Sequence, residues 1–336
     1  MYIDCAIIGY GEFTQSVTIP CLEATKRFRI KYILVRSAER ATAMNADNSV
    51  PGCCFVDSYE RILADQTIKC VFIVTRHDQH RDQIMAALEA GKDVFTEKPM
   101  AMNVKDAMAI EKKVAETGRR LMVGFNRRFS PLSIRIKETL AKLPGPYLIN
   151  YNWINKAWIT EWPFDPIQGG GKLVSSGCHM IDLILFLLGE TPSQISASLS
   201  TLCRKGIQTH DTAIVGLRFA DGTRVNICTS EIGSNGFPQE KMEIFSAGGA
   251  MLMNDFKELR FFNLPNQDIV SDKQEKGLFE EMLAWAGCLD GKSPALPCDV
   301  YAGVNAARCV EACLKSAASG NTIEMDKVKL EAVNEH

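Results

Sequence analysis

Ile3-Asp4-Cys5-Ala6-Ile7-Ile8-Gly9-Tyr10-Gly11-Glu12-Phe13-Thr14 is the stretch that decides the fold. A short apolar run of strand length ends at a glycine, a second glycine follows two positions later, and residues 13–26 then take helical spacing. A strand that turns through Gly-x-Gly into a helix opens a dinucleotide-binding βαβ unit. Gly9 supplies the tight turn, and Gly11 lets the backbone approach a pyrophosphate at the helix N-terminus. Glu12 and Phe13 complete the turn and join the candidate cofactor-binding residues. The third glycine position of such a fingerprint is Thr14, where Gly or Ala is usual. Gly-x-Gly by itself is common; its place between the first strand and the first helix gives it weight.

The next 110 or so residues repeat the alternation. Arg29–Val35 reads as a second strand, Cys70–Thr75 as a central strand covered on both faces, and 93–97 and 121–125 as two more. Helical patterns over 80–90 and 104–117 are each followed by a glycine, Gly91 and Gly118. Alternating strands and helices imply a parallel sheet with right-handed crossovers. The second strand ends in Val35-Arg36-Ser37-Ala38-Glu39-Arg40. An acid at that point takes the ribose 2′-hydroxyl of NAD, whereas an arginine accommodates the 2′-phosphate of NADP. Arg36 and Arg40, with Ser37 as a donor, therefore favour NADP over NAD.

Beyond residue 125 the texture changes. Strand-like segments appear at 147–155, 193–203, 211–219, 223–230, 239–246, 250–254 and 258–263, with hairpin signals at Asp221-Gly222 and Gly248-Gly249. One long helix is expected over 172–188, and two final ones over 277–290 and 299–317, the last packing back on the first domain. The fold class is thus α/β: an N-terminal Rossmann domain with a doubly wound parallel sheet over residues 1–125. A C-terminal α+β domain over 126–336 is expected to carry a large, mostly antiparallel open sheet.

Bulk properties narrow the function classes. A hydrophobic content of 46% and a charged content of 23% are ordinary for a globular chain, and 336 residues suit two cores. The net charge is −2 and no Lys/Arg tract occurs, which argues against nucleic-acid and membrane partners and for a small substrate. Twelve cysteines are scattered without a Cys-x-x-Cys pair, so neither a disulfide framework nor a metal site is expected, and a reducing cytoplasm fits. His77 and His80 have metal-compatible spacing, but nothing completes a ligand set.

Three further segments complete the pattern: Thr96-Glu97-Lys98-Pro99, Gly124-Phe125-Asn126-Arg127-Arg128-Phe129, and Gly169-Gly170-Gly171 leading through Ser175 to His179 and Asp182. With the glycine turn, they resemble the glucose-fructose oxidoreductase/inositol dehydrogenase (Gfo/Idh/MocA) family over nearly the whole chain. Thr75-Arg76-His77-Asp78-Gln79-His80 is similar to a bacterial subgroup in which the module can be fused to a zinc-alcohol-dehydrogenase-like half. The resemblance implies an NAD(P)-dependent enzyme that moves hydride between the nicotinamide and a secondary alcohol or ketone of a sugar, cyclitol or nucleotide sugar. It implies Lys98 and His179 as catalytic residues, the lysine stabilising the developing alkoxide and the imidazole taking the hydroxyl proton. Thr75, Arg76, His77, His80, Glu97 and Lys98 are expected at the cofactor, and Asn126, Arg127, Trp158, Ser175 and Asp182 at the substrate. Arg127 and Arg128 suit a phosphate or carboxylate on that substrate, or a structural ion pair. Trp153, Trp158 and Trp162 suit stacking on a sugar, or core filling.

Many family members carry Asp where this chain has Ser175, and a serine cannot stabilise an imidazolium by charge. Asp182, three residues after His179, shares its helical face and either contributes in its place or contacts substrate. The family resemblance implies a homodimer or homotetramer formed through the open sheet. Two other functions fit the same motifs: a dinucleotide-binding sensor without catalysis, and cofactor-assisted glycoside cleavage.

Overall fold

Two sheets organise the chain, and the computed structural model describes residues 2–156, 160–292 and 296–326. In chain order the first part runs β1 (Ile3–Ile8), a π turn (Thr14–Thr18) leading into α1 (Ile19–Thr25), β2 (Phe28–Leu34), α2 (Ala38–Ala46), β3 (Cys54–Val56) and α3 (Tyr59–Ala64). It continues with β4 (Cys70–Ile73), α4 (His77–Glu89), β5 (Asp93–Thr96), α5 (Val104–Thr117) and β6 (Leu121–Val123). The six strands are parallel in the order β3-β2-β1-β4-β5-β6. Helices cover both faces of such a sheet, which is why every residue of β4, β5 and β6 is buried and β4 and β6 read as unbroken apolar runs. The order reverses between β1 and β4, and it is outside the carboxyl ends of strands at such a reversal that α/β sheets bind ligands.

Local chemistry sets the helix limits. Ser37, Ser58 and Asn103 each accept a backbone N–H of the first turn of α2, α3 and α5, and Gly118 closes α5 in the left-handed region. Helix α4 starts at His77 instead of near residue 80, because Arg76 is extended at φ −73°, ψ 155° and the turn follows at once.

The second part comprises a 3₁₀ turn (Asn126–Phe129), α6 (Pro131–Leu140), β7 (Leu148–Ile154), a π turn (Leu173–Gly177) leading into α7 (Cys178–Leu188), β8 (Gln194–Ser200), β9 (Thr212–Arg218) and β10 (Arg224–Ser230). β11 (Glu240–Ser246), β12 (Gly249–Asn254), β13 (Glu258–Phe262), β14 (Ile269–Val270), α8 (Leu278–Leu289), α9 (Val300–Ser319) and β15 (Ile323–Glu324) follow. Nine strands form one sheet in the order β14-β13-β12-β11-β7-β10-β9-β8-β15, antiparallel except where β7 and β10 run parallel. Strict alternation buries Ile149, Tyr151 and Trp153 on one face and leaves Leu148, Asn150 and Asn152 on the other. The π turn lies against β9 and β10, and α7 packs on α6. The single helix expected over 172–188 is therefore a π turn followed by an α-helix.

The chain divides into two compact units: residues up to 124 with 278–304, and residues 125–277 with 305 onward. α8 and the first turn of α9 join the first unit, and the rest of α9 belongs to the second. Among the described residues no helix is long and apolar enough to cross a membrane.

Candidate functional site

At the end of β1 the backbone demands glycine. Gly9 has φ +104°, and a Cβ there would lie 2.7 Å from the Val74 carbonyl oxygen. Gly11 is different: a Cβ would meet nothing within 4 Å, so its lack of a side chain leaves open space directly before the helix. The first backbone N–H groups of any helix lack intrahelical acceptors, and here they lie next to that opening, as an anionic ligand requires. Glu12 and Phe13 are exposed on the same first turn. Thr14 replaces the usual small residue at little cost because its buried hydroxyl donates to the Gly9 carbonyl at 3.1 Å.

The end of β2 adjoins this turn. Ser37 caps α2, and the Arg40 guanidinium donates to the Tyr10 carbonyl at 3.2 Å, which puts a cation against the turn itself. Arg36 is exposed. The Glu39 carboxyl is held below its ordinary value, mainly by the Ser37 hydroxyl. The residues present thus fit a dinucleotide: an open glycine, a helix start and a cation at the turn.

The ends of β4 and β5 supply the rest of this edge. Thr75 follows β4 and donates from its hydroxyl to Gln83 at 2.6 Å; Arg76 is exposed and His77 is buried. Glu97 and Lys98 follow β5, and the Lys98–Pro99 bond is cis. Burial pushes the Glu97 carboxyl up to about 7, against the Lys98 charge and backbone N–H that pull it down. Gly124 leaves room for that carboxyl, since a Cβ there would sit 3.2 Å from Glu97 Oε1. One expected cofactor ligand needs correcting. His80 is fully buried, with Nδ1 2.7 Å from the Pro99 carbonyl oxygen and Nε2 3.1 Å from that of Thr75, so both ring nitrogens are taken by the chain.

The second unit holds the remaining candidates. His179 is on α7, 5% exposed, with its ring centroid 5.8 Å from that of Phe125 and 6.0 Å from that of Trp153. Ser175 lies on the preceding π turn and is buried. That turn is fixed from below by a residue with no motif around it: the Leu173 N–H donates to His210 Nε2 at 3.0 Å, and burial drops the His210 pKa to about 4. Gly171, at φ +90°, is required because a Cβ would lie 2.8 Å from the same ring.

Two expected substrate ligands, Arg127 and Asp182, are instead in structural ion pairs. The Arg127 guanidinium donates twice to Glu240, at 2.8 and 2.7 Å, and stacks 4.2 Å over the Trp153 ring; both charged residues are buried. Tyr151 and Lys276 also bond to Glu240, and although burial opposes its charge, the Arg127 and Lys276 cations hold the carboxyl down to about 2. Asp182 is fully buried and accepts from Arg128 at 2.7 and 2.5 Å. The Asn126 amide donates to the Lys276 carbonyl at 2.6 Å. Trp158 lies outside the described residues. Residues that motif reading passed over stand near His179 through Trp153: Lys172 is fully buried, 5.3 Å from that ring and 2.5 Å from Asn155 Oδ1. Its place just after the three glycines is the signal that could have found it.

Comparison with known proteins gives a consistent result. The oxidoreductase family model with NAD-binding Rossmann fold (Gfo/Idh/MocA) matches residues 3–125, and the C-terminal domain of the same family matches residues 147–251, together more than half of the chain. Inositol 2-dehydrogenase of Rhizobium meliloti is 31% identical over 59% of this chain and 61% of its own length, so the chain's match spans about three fifths of that relative. Among solved structures, aldose-aldose oxidoreductase from Caulobacter crescentus superposes with a TM-score of 0.84 at 21% identity, covering 97% of this chain and all of the other. The WlbA dehydrogenase from Bordetella pertussis, in complex with NADH and UDP-GlcNAcA, gives 0.83 at 22% identity, covering 97% and 99%.

Proposed function

We propose, since the chain belongs to the Gfo/Idh/MocA oxidoreductase family, that it interconverts a secondary alcohol and a ketone on a sugar, cyclitol or nucleotide sugar with NADP as the preferred cofactor. The observation that carries this reading is the carboxyl edge of the parallel sheet. There Lys98, directly after β5, stands on the same edge as the open Gly9–Gly11 turn after β1. The bound nicotinamide supplies the hydride acceptor or donor. The Gly11 turn and the first N–H groups of the helix hold the pyrophosphate, and Arg36, Ser37 and Arg40 receive the 2′-phosphate. Lys98 donates a hydrogen bond to the substrate oxygen and stabilises the charge that grows on it. His179 accepts the proton that leaves that oxygen. The first unit is the cofactor domain and the second the substrate domain.

The anionic-substrate expectation loses its support, because Arg127 and Arg128 are each neutralised by a buried carboxylate. The relatives' names point to neutral polyols and to a nucleotide sugar acid alike. The outward face of the nine-stranded sheet, with Leu148, Ile214, Phe245 and Phe262 exposed, is the surface for a homodimer or homotetramer in the cytoplasm.

One test uses the wild-type protein with NADP⁺ or NAD⁺ and a panel of sugars, cyclitols and nucleotide sugars, read by absorbance of the reduced nicotinamide. Turnover of at least one panel member supports the reading; tight cofactor binding with no turnover in either direction refutes it. That second outcome is the signature of a dinucleotide sensor. One observation favours that reading: Asp182, on the helical face of His179, is committed to Arg128. A larger thermal stabilisation by NADH than by NADPH at equal concentration would overturn the NADP assignment.

A further inference from the structure

His80 has no work in the mechanism above, yet both of its ring nitrogens are in contact with main-chain carbonyls. It lies on α4, has no exposed surface, and has a polar partner at each ring nitrogen. Those partners are the main-chain carbonyls of two separate segments. One is Pro99, bonded to Lys98 in the chain. The other is Thr75, whose neighbour Val74 supplies the carbonyl that a Cβ at Gly9 would strike at 2.7 Å. The imidazole therefore sits in a line that runs from the phosphate turn, through the end of β4, to the lysine after β5. Carbonyl oxygens only accept, and burial favours the neutral ring with its single N–H, so the ring donates to one of the two; the contact to Pro99 is the shorter. Buried carbonyls without a donor are costly, which gives the contact its hold on the segment.

We propose that His80 is a positioning residue. Its Nδ1–H holds the Pro99 carbonyl against α4, beside the Thr75 turn, and thereby fixes where Lys98 stands relative to the cofactor-binding turn. This inference rests on the oxidoreductase reading for its consequence in catalysis, but its structural half does not need turnover. A ring that only filled space would be replaceable by any side chain of similar volume. A positioning donor requires an N–H at the place of Nδ1. Asparagine can present its amide N–H near that place, whereas glutamine's amide reaches toward Nε2 and leucine offers none.

The test compares wild type with His80→Asn, His80→Gln and His80→Leu. It reads the competitive acetylation rate of the Lys98 amine in the cofactor-free protein by mass spectrometry, nicotinamide-nucleotide affinity by fluorescence, and kcat. In His80→Asn, Lys98 acetylation and cofactor affinity stay within about threefold of wild type and kcat within about tenfold. In His80→Gln and His80→Leu, the acetylation rate changes at least fivefold and kcat falls at least a hundredfold, with substrate KM little moved. If His80→Leu does not fold, the Asn and Gln pair carries the comparison. Equal behaviour of Asn and Gln overturns the proposal, as does a loss in all variants that simply tracks their thermal stability. If the wild-type protein turns over nothing, the oxidoreductase reading fails by itself, and the acetylation and binding results still decide the role of His80.

Discussion

The two units use their motifs in opposite ways. In the first, the residues around the glycine turn and the end of β2 stay open: Gly11 borders empty space, Arg36, Glu12 and Phe13 are exposed, and Arg40 leans on the turn it serves. In the second, the charged residues of the motifs turn inward. Arg127 meets Glu240 and Arg128 meets Asp182, all four largely buried, and Lys172 faces Asn155 and Glu231 without any exposed surface. The contrast teaches that a backbone-driven ligand site can be recognised from glycines and strand ends, whereas a cation in a motif is as readily consumed by the fold as offered to a substrate. Buried, paired charges are not interchangeable with solvated ones, because each partner depends on the other for its solvation.

Breaking a pair in the second unit gives the largest expected effect on stability. Arg127→Ala leaves Glu240 buried with Lys276 as its remaining cation, and about 3–5 kcal/mol of unfolding free energy is lost in urea titration. If Arg127 were a substrate ligand instead, KM would rise while the urea midpoint stayed in place. In the first unit the prediction is the mirror image. Gly11→Ala adds a Cβ that touches nothing, so the urea midpoint moves little. Nicotinamide-nucleotide affinity drops about tenfold, or about 1.4 kcal/mol, when followed by fluorescence. An unchanged affinity would remove the turn from the cofactor site.

Acid sharpens the comparison further. The folded His210 titrates at about 4, depressed by burial, while an unfolded histidine titrates near 6.5. The neutral ring that accepts the Leu173 N–H is therefore a stabilising contribution fully present above about pH 6.5 and lost as the pH falls through 4. Urea midpoints between pH 7.5 and 4.5 check this: His210→Gln keeps an acceptor without a titration, so its stability falls less steeply over that window. An identical slope in the variant would assign the acid sensitivity elsewhere. The smallest effect belongs to cofactor choice. Arg40→Ala weakens NADPH severalfold more than NADH in parallel titrations, and an equal loss for both would leave Arg40 as a mere brace for the Tyr10 carbonyl.

Legibility in the sequence followed physical range. The centre of the parallel sheet was readable because strands such as β4 and β6 are buried apolar runs with local closing signals. The antiparallel strands were readable from alternation and from the turns at Asp221-Gly222 and Gly248-Gly249. Short elements with weak patterns, α2, β3, α3, β14 and β15, left no such trace. The parallel pairing of β7 with β10 joins strands far apart in the chain. The same limit governs the site. Gly9 and Gly11 answer to local backbone geometry, and Lys98 to the end of its own strand. Arg127 answers to Glu240, which is 113 residues away, Arg128 to Asp182 at 54, and Leu173 to His210 at 37. Spacing could place those side chains on their elements but could not show what they face.

Lys98 remains the point on which the account turns. The most direct measurement compares Lys98→Ala with wild type on whichever substrate the wild type oxidises, reading nicotinamide reduction alongside cofactor affinity. The account predicts affinity within about threefold of wild type and a rate lower by about 10²–10³-fold, the loss typical of removing one stabilising donor from a growing oxyanion. A rate that survives the substitution would contradict it.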